Sequence, residues 1–285
     1  MIQSMTGYGK STIQLPTKKI SIELKSLNSK NLDLNARMPS MYREKELTIR
    51  KFVASNLTRG KIDFSLYMEM TGEETSAQIN EGVLKKYMNQ LKNIVHANDT
   101  ELLKMAIKMP DALKTEREEI DEKEWQLIDK EIKNTVLKIQ KYRQEEGLAL
   151  EKDFLFRIQN IATLLNQVMN VDPDRIESVR MRLEKSVTEL KERVDENRFE
   201  QELIYYIEKY DITEEKVRLE NHIEYFTKSL NSKDSNGKKL GFISQEIGRE
   251  INTIGSKANY APMQKLVVQM KDELEKIKEQ LLNVL

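Results

Sequence analysis

Glu246 and Glu250 stand four residues apart, with Arg249 between them and Thr253 three residues further on. In a helix these four side chains fall on one face spanning about 100° of arc. Carboxylates at i and i+4 are close enough to share a cation. Their oxygens are the ligands that Mg²⁺ or Mn²⁺ prefers. The alternative is a solvated face on which Glu246 and Arg249 simply pair. A second set precedes it: Asp211, Glu215, Arg218 and His222 recur at four, three and four. That spacing gives two carboxylates, a guanidinium and an imidazole on one helical face. His222 is one of only two histidines in the chain, and an imidazole moves protons or ligates a transition metal near neutral pH. A histidine in this setting also serves simply to satisfy a buried neighbour. The other, His96, has no comparable company and reads as a surface residue.

Basic groups lie near both sets. Lys238 and Lys239 precede the first face and Lys257 follows it. Arg59 and Lys61 flank Gly60, and Lys25, Lys30 and Arg37 surround the strands before them. Phosphate backbones require such contacts. No phosphate-binding loop, dinucleotide fingerprint or zinc-protease motif is present, and Gly7-Tyr8-Gly9 is too short for a nucleotide loop.

The elements that must hold these residues follow from hydrophobic period. Residues 20–24 alternate apolar and polar, as do Leu32, Leu34 and Ala36; Ile62, Phe64, Leu66 and Met68 give the clearest strand pattern. Residues 42–57 have helical spacing, and Arg59-Gly60-Lys61 turns the chain. The order reads strand, strand, strand, helix, strand. From about Gly82 the period becomes helical: Trp125, Ile128, Ile132, Val136 and Ile139, then Leu150, Phe154, Ile158, Ile161, Leu165 and Val168. Asp172-Pro173 suits a turn, with Asp172 as cap and Pro173 at the first helical position. Further helices are expected over 175–209, 211–230, 240–254 and 263–282, with a polar loop at 231–237. Long charged helices also suit a coiled coil, but Gly147 and Pro173 interrupt the pattern, and a helical layer on a sheet fits better. The fold class is α+β: an antiparallel-sheet-containing N-terminal part followed by a larger, mostly α-helical region with long helices, divided into an N-terminal α+β domain with a helical extension (1–155) and a helical C-terminal domain (156–285).

Composition bounds the function without naming it. The 285 residues include 39% hydrophobic and 33% charged ones, a foldable mixture with a charged surface. Lys plus Arg and Asp plus Glu both number 47. This argues against a globally basic nucleic-acid binder but permits a local basic patch. Without cysteine, disulfides and thiolate metal sites are excluded, and a reducing cytoplasm is expected. The opening residues lack the basic and apolar regions of a signal peptide, and no apolar run approaches the roughly 18 residues of a membrane helix.

Strings of residues carry more. Met1-Ile2-x-Ser4-Met5-Thr6-Gly7-Tyr8-Gly9 opens the chain, followed by Ser26-Leu27-Asn28-Ser29-Lys30-x-Leu32-Asp33, Arg37-Met38-Pro39 and Leu57-x-Arg59-Gly60-Lys61-Ile62. Arg143-x-x-Glu146-Gly147 marks the middle. Asp211-Ile212-x-Glu214-Glu215, Arg218-Leu219, His222-Ile223, Gly237-Lys238-Lys239-Leu240, Gln245-Glu246, Arg249-Glu250-Ile251-Asn252-Thr253 and Gly255-Ser256-Lys257 mark the C-terminal half. In this order and density the sequence resembles the YicC family of endoribonucleases over nearly its whole length.

The resemblance implies an RNA-cleaving enzyme that needs a divalent metal cation, Mn²⁺ or Mg²⁺, and assembles as a hexameric ring enclosing RNA. Its functional stretches fall on Asp211, Glu215, Arg218, His222, Gln245, Glu246, Arg249, Glu250, Asn252 and Lys257, most of which the spacing argument reaches independently. The expected division of labour puts metal on Asp211, Glu215, Glu246 and Glu250. Chemistry falls to His222, Glu246, Glu250 and Arg249. RNA contacts fall to Arg218, Lys238, Lys239, Gln245, Asn252, Lys257, Arg59 and Lys61. Two departures stand out: many family members have histidine where this chain has Ser29 and aspartate where it has Tyr260. The competing readings are an adaptor that delivers RNA to another nuclease, with the carboxylates as partners for arginines, and a purely structural helical scaffold.

Overall fold

The computed structural model describes residues 2–71, 78–114, 120–189, 196–232 and 237–285. Strands β1 (Gly7–Gln14), β2 (Lys18–Leu27), β3 (Leu32–Arg37) and β4 (Gly60–Met70) form a sheet in the order β1-β2-β4-β3. β1, β2 and β4 pair antiparallel, whereas β3 runs parallel to β4. The expected antiparallel sheet is therefore mixed. Its parallel pair follows from α1 (Glu46–Asn56), which carries the chain back between β3 and β4 as a crossover. The register sets Ile22 opposite Leu66 and Leu24 opposite Phe64, so the alternating apolar residues of both strands share one buried face. The Gly7-Tyr8-Gly9 sequence lies in β1 and has no loop geometry.

A small unit follows, built from β5 (Gln78–Ile79), α2 (Glu81–Lys92), α3 (Asp99–Ala106) and β6 (Leu113–Lys114). Asn80 and Asn98 cap the two helices, accepting from Val83 and Glu101 N–H groups at 3.3 and 2.9 Å. The helical period anticipates the helices but not the two-residue strands. His96 lies exposed between the helices.

Helix α4 (Glu122–Glu189) then runs 68 residues. Its first part packs Trp125, Ile128, Ile132, Val136 and Ile139 on the sheet; its middle packs Phe154, Ile158, Ile161, Leu165 and Val168 on the later helices. Neither expected interruption breaks it. Gly147 stays helical because the N-terminal segment crosses it closely: a Cβ there would lie 2.2 Å from the Ile2 carbonyl oxygen and 3.0 Å from Gln3 Cα. Both obstacles are backbone. Gly147→Ala is therefore expected to lower stability by about 1–3 kcal/mol despite alanine's better helix propensity. A higher urea midpoint for the alanine variant would contradict this contact.

Pro173 also lies inside α4, although an interior proline costs roughly 3 kcal/mol. Tertiary anchors outweigh the local turn signal. Arg175 Nε donates to Asp172 Oδ1 at 2.8 Å, and Arg175 Nη1 to the Tyr210 carbonyl at 2.9 Å. Lys216 Nζ donates to Asp172 Oδ2 at 2.7 Å. Asp172 and Arg175 are both buried, so the residues read as a turn instead bolt α4 to the segment leading into the next helices. The helix expected over 175–209 is the end of α4 and α5 (Glu196–Lys209), with 190–195 outside the described residues.

The chain finishes with α6 (Thr213–Leu230), α7 (Gly237–Lys257) and α8 (Ala261–Leu281). Most of the expected polar loop, 233–236, lies outside the described residues. Ile243, Ile247, Ile251 and Ile254 of α7 interlock with Leu219, Ile223, Phe226 and Leu230 of α6 and with α8. Phe154 meets Phe226 edge-on at 6.3 Å. The C-terminal residues tie the two cores together. Met5 N–H donates to the Asn283 carbonyl at 2.7 Å and Leu285 N–H to the Gln3 carbonyl at 2.9 Å. Beside them the buried Arg143 guanidinium donates to the carbonyls of Met5 and Arg59 and to the Ser26 hydroxyl. Gly60 follows Arg59 at φ +121°, in the region that favours glycine. No helix among the described residues is long and apolar enough to cross a membrane.

Candidate active site

Helices α6 and α7 pack antiparallel along their apolar stripes, and one half-buried ion pair fixes their register. Lys257 Nζ donates to Glu215 Oε1 and to the Asp211 carbonyl, both at 2.8 Å. His222 and Glu250 each stand seven residues from this contact, one on each helix. Seven residues is two turns, about 10 Å, with a rotation of only about 20°. Antiparallel packing therefore brings His222 and Glu250 to the same level of the α6/α7 face. The two sets separated in sequence are thus assembled into one surface.

The four carboxylates differ in what occupies them. Asp211 Oδ1 accepts from the Thr213 hydroxyl at 2.7 Å and from its N–H at 3.0 Å. The hydroxyl bond, then the N–H bond, hold the Asp211 carboxyl below its ordinary range, and Lys216 and Lys257 add to the effect. Glu246 faces Arg249, whose Nη1 lies 2.9 Å from Oε1 and donates to Oε2 at 3.2 Å. Glu215 is 6% exposed; Oε1 meets Lys257, while Oε2 is buried without a hydrogen-bond partner. Glu250 is 8% exposed, and no side chain among the described residues hydrogen-bonds or ion-pairs with it. On this face the buried carboxylate oxygens without a hydrogen bond are Glu215 Oε2 and Glu246 Oε1; the Glu250 carboxylate keeps access to solvent, so it is open to a ligand and is a functional candidate.

Hard oxygen donors without protein partners suit Mg²⁺ or Mn²⁺. Among the described residues no three His, Asp or Glu side chains converge as a ready-made cage. Mg²⁺ often takes only one or two carboxylates and keeps its remaining positions for water and substrate phosphates. Glu250, with Glu246 one turn away, fits that demand. Glu215 and Asp211 lie about two turns from Glu250 and belong to a separate pair, so the four expected ligands do not form one set.

The basic residues divide into two groups. Arg249, 73% exposed, Arg218, paired with Glu214, and Lys257 line the α6/α7 face. Gln245 and Asn252 are exposed on α7. The other group surrounds the C-terminal residues. Lys238 and Lys239 open α7, with Lys239 Nζ 4.8 Å from the Tyr225 ring centroid. Gly237 N–H donates to the Leu285 carbonyl at 3.4 Å, and the Asn28 amide donates to the Leu282 carbonyl. Next to Asn28, the Ser29 carbonyl accepts from Arg59 Nε at 2.9 Å, and Lys61 is exposed on β4. Nineteen residues of helix, about 28 Å, separate Lys238 from Lys257. Ser29 belongs to the second group; Tyr260 precedes the first residue of α8, three residues beyond Lys257.

Sequence reasoning took Asp172 for a helix cap and missed Arg175 and Lys216, its partners in the network that positions the start of α6; only the topology brings residues 44 positions apart together. It also missed Arg182, which donates to the Asn259 carbonyl at 3.4 Å, and the tyrosines of α5. A groove between α4 and α8, lined by residues including Asn160, Gln269 and Glu273, contains none of the candidate residues.

Comparison with known proteins identifies a family. Residues 2–152 match the family model described as "Endoribonuclease YicC-like, N-terminal region", and residues 168–285 match "Endoribonuclease YicC-like, C-terminal". The chain is 32% identical over 293 residues to "Probable endoribonuclease YicC" of Clostridioides difficile. It is 28% identical over 290 residues to the protein of the same name from Haemophilus influenzae. Both alignments cover the whole of both chains.

Proposed function

We propose, from the premise that this chain belongs to the YicC-like endoribonuclease family, that it cleaves RNA phosphodiester bonds on the α6/α7 face with a divalent cation. The observation that carries this reading is Glu250: a nearly buried carboxylate, without a side-chain partner, level with one of the chain's two histidines.

Glu250 and Glu246 would hold the cation, which when bound neutralises phosphoryl oxygens and activates the nucleophile. Arg249 couples substrate entry to that site. Its exposed pair with Glu246 is worth only about 0–1 kcal/mol, so an arriving phosphate can draw the guanidinium away and uncover the Glu246 carboxylate beside Glu250. Arg218 and Lys257 hold flanking phosphates, and Gln245 and Asn252 contact the strand from α7. His222 gives or takes the proton at the cleaved bond. Lys238, Lys239, Arg59 and Lys61 form a second phosphate-holding area about 28 Å away along α7, so a strand bound at both spans the length of the helix. The proposed assembly is a hexamer, which would cover some of the apolar side chains exposed on the small unit, such as Ile94 and Val95.

The adaptor reading draws on the other ion pairs. Glu246 with Arg249, Glu215 with Lys257 and Glu214 with Arg218 treat carboxylates as partners of basic groups. Purified protein with end-labelled RNA separates the two. Cutting with Mn²⁺ or Mg²⁺ that stops in chelator is the expected result. Cutting that persists in chelator removes the cation from the mechanism; binding without cutting in either metal establishes the adaptor.

A further inference from the structure

The end of helix α5 carries Tyr205, Tyr206 and Lys209, and Tyr210 follows it just before Asp211. The Tyr206 and Tyr210 rings stack at 6.2 Å with 14° between their planes, and Tyr205 meets Tyr206 edge-on at 5.7 Å. Lys209 Nζ lies 5.9 Å from the Tyr205 centroid and 5.8 Å from that of Tyr210. Tyr205 is 57% exposed. None of these tyrosines serves the described apolar cores. Tyr206 and Tyr210 are half-buried, so the row presents chiefly the Tyr205 ring and the Lys209 cation to solvent.

We infer that this tyrosine row is a stacking platform for unpaired bases of RNA, so that the substrate enters the α6/α7 face as a single strand. The inference rests on the RNA-binding reading of that face and specifies the form of the substrate. Every base offers a flat π-face, whereas in a duplex those faces are covered by neighbouring pairs. Lys209 supplies a charge for the phosphate beside a stacked base. The platform is continuous with the site: Tyr210 precedes Asp211, whose carbonyl accepts from Lys257, and the Tyr210 carbonyl is pinned by the buried Arg175. Glu202 lies one turn before Tyr205 and repels phosphate. The backbone of a bound strand therefore runs from Lys209 toward Lys257, into the face that carries Glu250 and His222. Tyrosine rings presented in this way also suit a protein surface, but Lys209 between them and Arg218, Arg249 and Lys257 on the adjoining face offer contacts to a polyanion.

The test uses the full chain and a short, unstructured 2′-O-methyl RNA, fluorescently labelled, in chelator, so that binding is read without cleavage. Fluorescence anisotropy compares the single strand with its duplex. Wild-type protein should prefer the single strand. Tyr205→Leu, which keeps an apolar helix-forming side chain, should weaken single-strand binding by roughly 5- to 150-fold, the range for one lost stacking contact. Its salt slope and duplex affinity should stay unchanged, and Tyr205→Trp should bind at least as tightly as wild type. Equal affinity of the leucine variant for the single strand, or a wild-type preference for duplex, overturns the proposal. So does a change in mass by light scattering with RNA affinity unaltered, which assigns the row to contact between copies. Because binding alone is measured, a protein that stacks single strands but does not cut them upholds this inference while refuting the nuclease reading.

Discussion

Glu250→Gln should reduce RNA cleavage by at least about 100-fold while leaving RNA affinity nearly unchanged. Glutamine preserves the shape and removes only the charge, and binding rests on Arg218, Arg249 and Lys257. The variant should also unfold at the same or a higher urea concentration than wild type. The Glu250 carboxylate keeps access to solvent and has no side-chain partner to lose, so neutralising it removes no stabilising contact. Lost rate with retained or increased stability is the signature of a residue kept for function. Glu246→Gln should lose rate too, with little change in stability, because its exposed pair with Arg249 contributes little. Arg249→Ala should instead weaken binding and flatten its salt dependence by roughly 0.7 for a single-stranded phosphate contact. A Glu250→Gln protein that cuts at the wild-type rate would leave these carboxylates as partners of basic side chains.

Asp172→Ala should be the most damaging single change to the fold among those considered, lowering stability by about 3–5 kcal/mol. It removes one acceptor from two cations. Arg175, itself buried, would keep the Tyr210 carbonyl but lose its carboxylate, and Lys216 would lose its contact with α4. The penalty comes less from the lost pair than from the buried guanidinium left uncompensated. The same network holds the α5–α6 junction, so the variant should also weaken RNA cleavage through displaced Asp211 and Glu215. Chemical denaturation measures the first effect; a midpoint equal to wild type would show that Pro173 is accommodated without this anchor.

The sequence discloses what is local or periodic. The isoleucine stripe of α7 and the Leu219–Ile223–Phe226–Leu230 stripe of α6 are readable because core contact imposes a helical period, and both stripes are buried. Strand alternation likewise locates β4. Pairing is less legible. The parallel arrangement of β3 with β4 depends on how α1 crosses the sheet, which no period reveals. Asp172-Pro173 carries the local marks of a helix start, yet partners 35 and 44 residues away hold it inside α4. Gly147 reads as an interruption because the sequence does not show Ile2 crossing it.

The candidate site shows the same division. Spacing collects Glu246 with Glu250 and Asp211 with Glu215, since each lies on one helix. It cannot show that Lys257 reaches 42 residues back to Glu215, which sets the α6/α7 register. Nor can it rank the carboxylates: only the folded chain reveals that Asp211, Glu215 and Glu246 have side-chain partners while Glu250 has none among the described residues. The basic residues of the sheet and of the start of α7, read as a single collection, prove to surround the C-terminal residues instead of the carboxylates.

The central claim is that a divalent cation sits at the Glu250 carboxylate on the α6/α7 face. Diffraction from crystals soaked in Mn²⁺, recorded for its anomalous signal, tests it most directly. The expected result is a peak in contact with Glu250, shared with Glu246 and absent from Glu250→Gln crystals. A peak confined to Asp211 and Glu215, or elsewhere on the molecule, would contradict it.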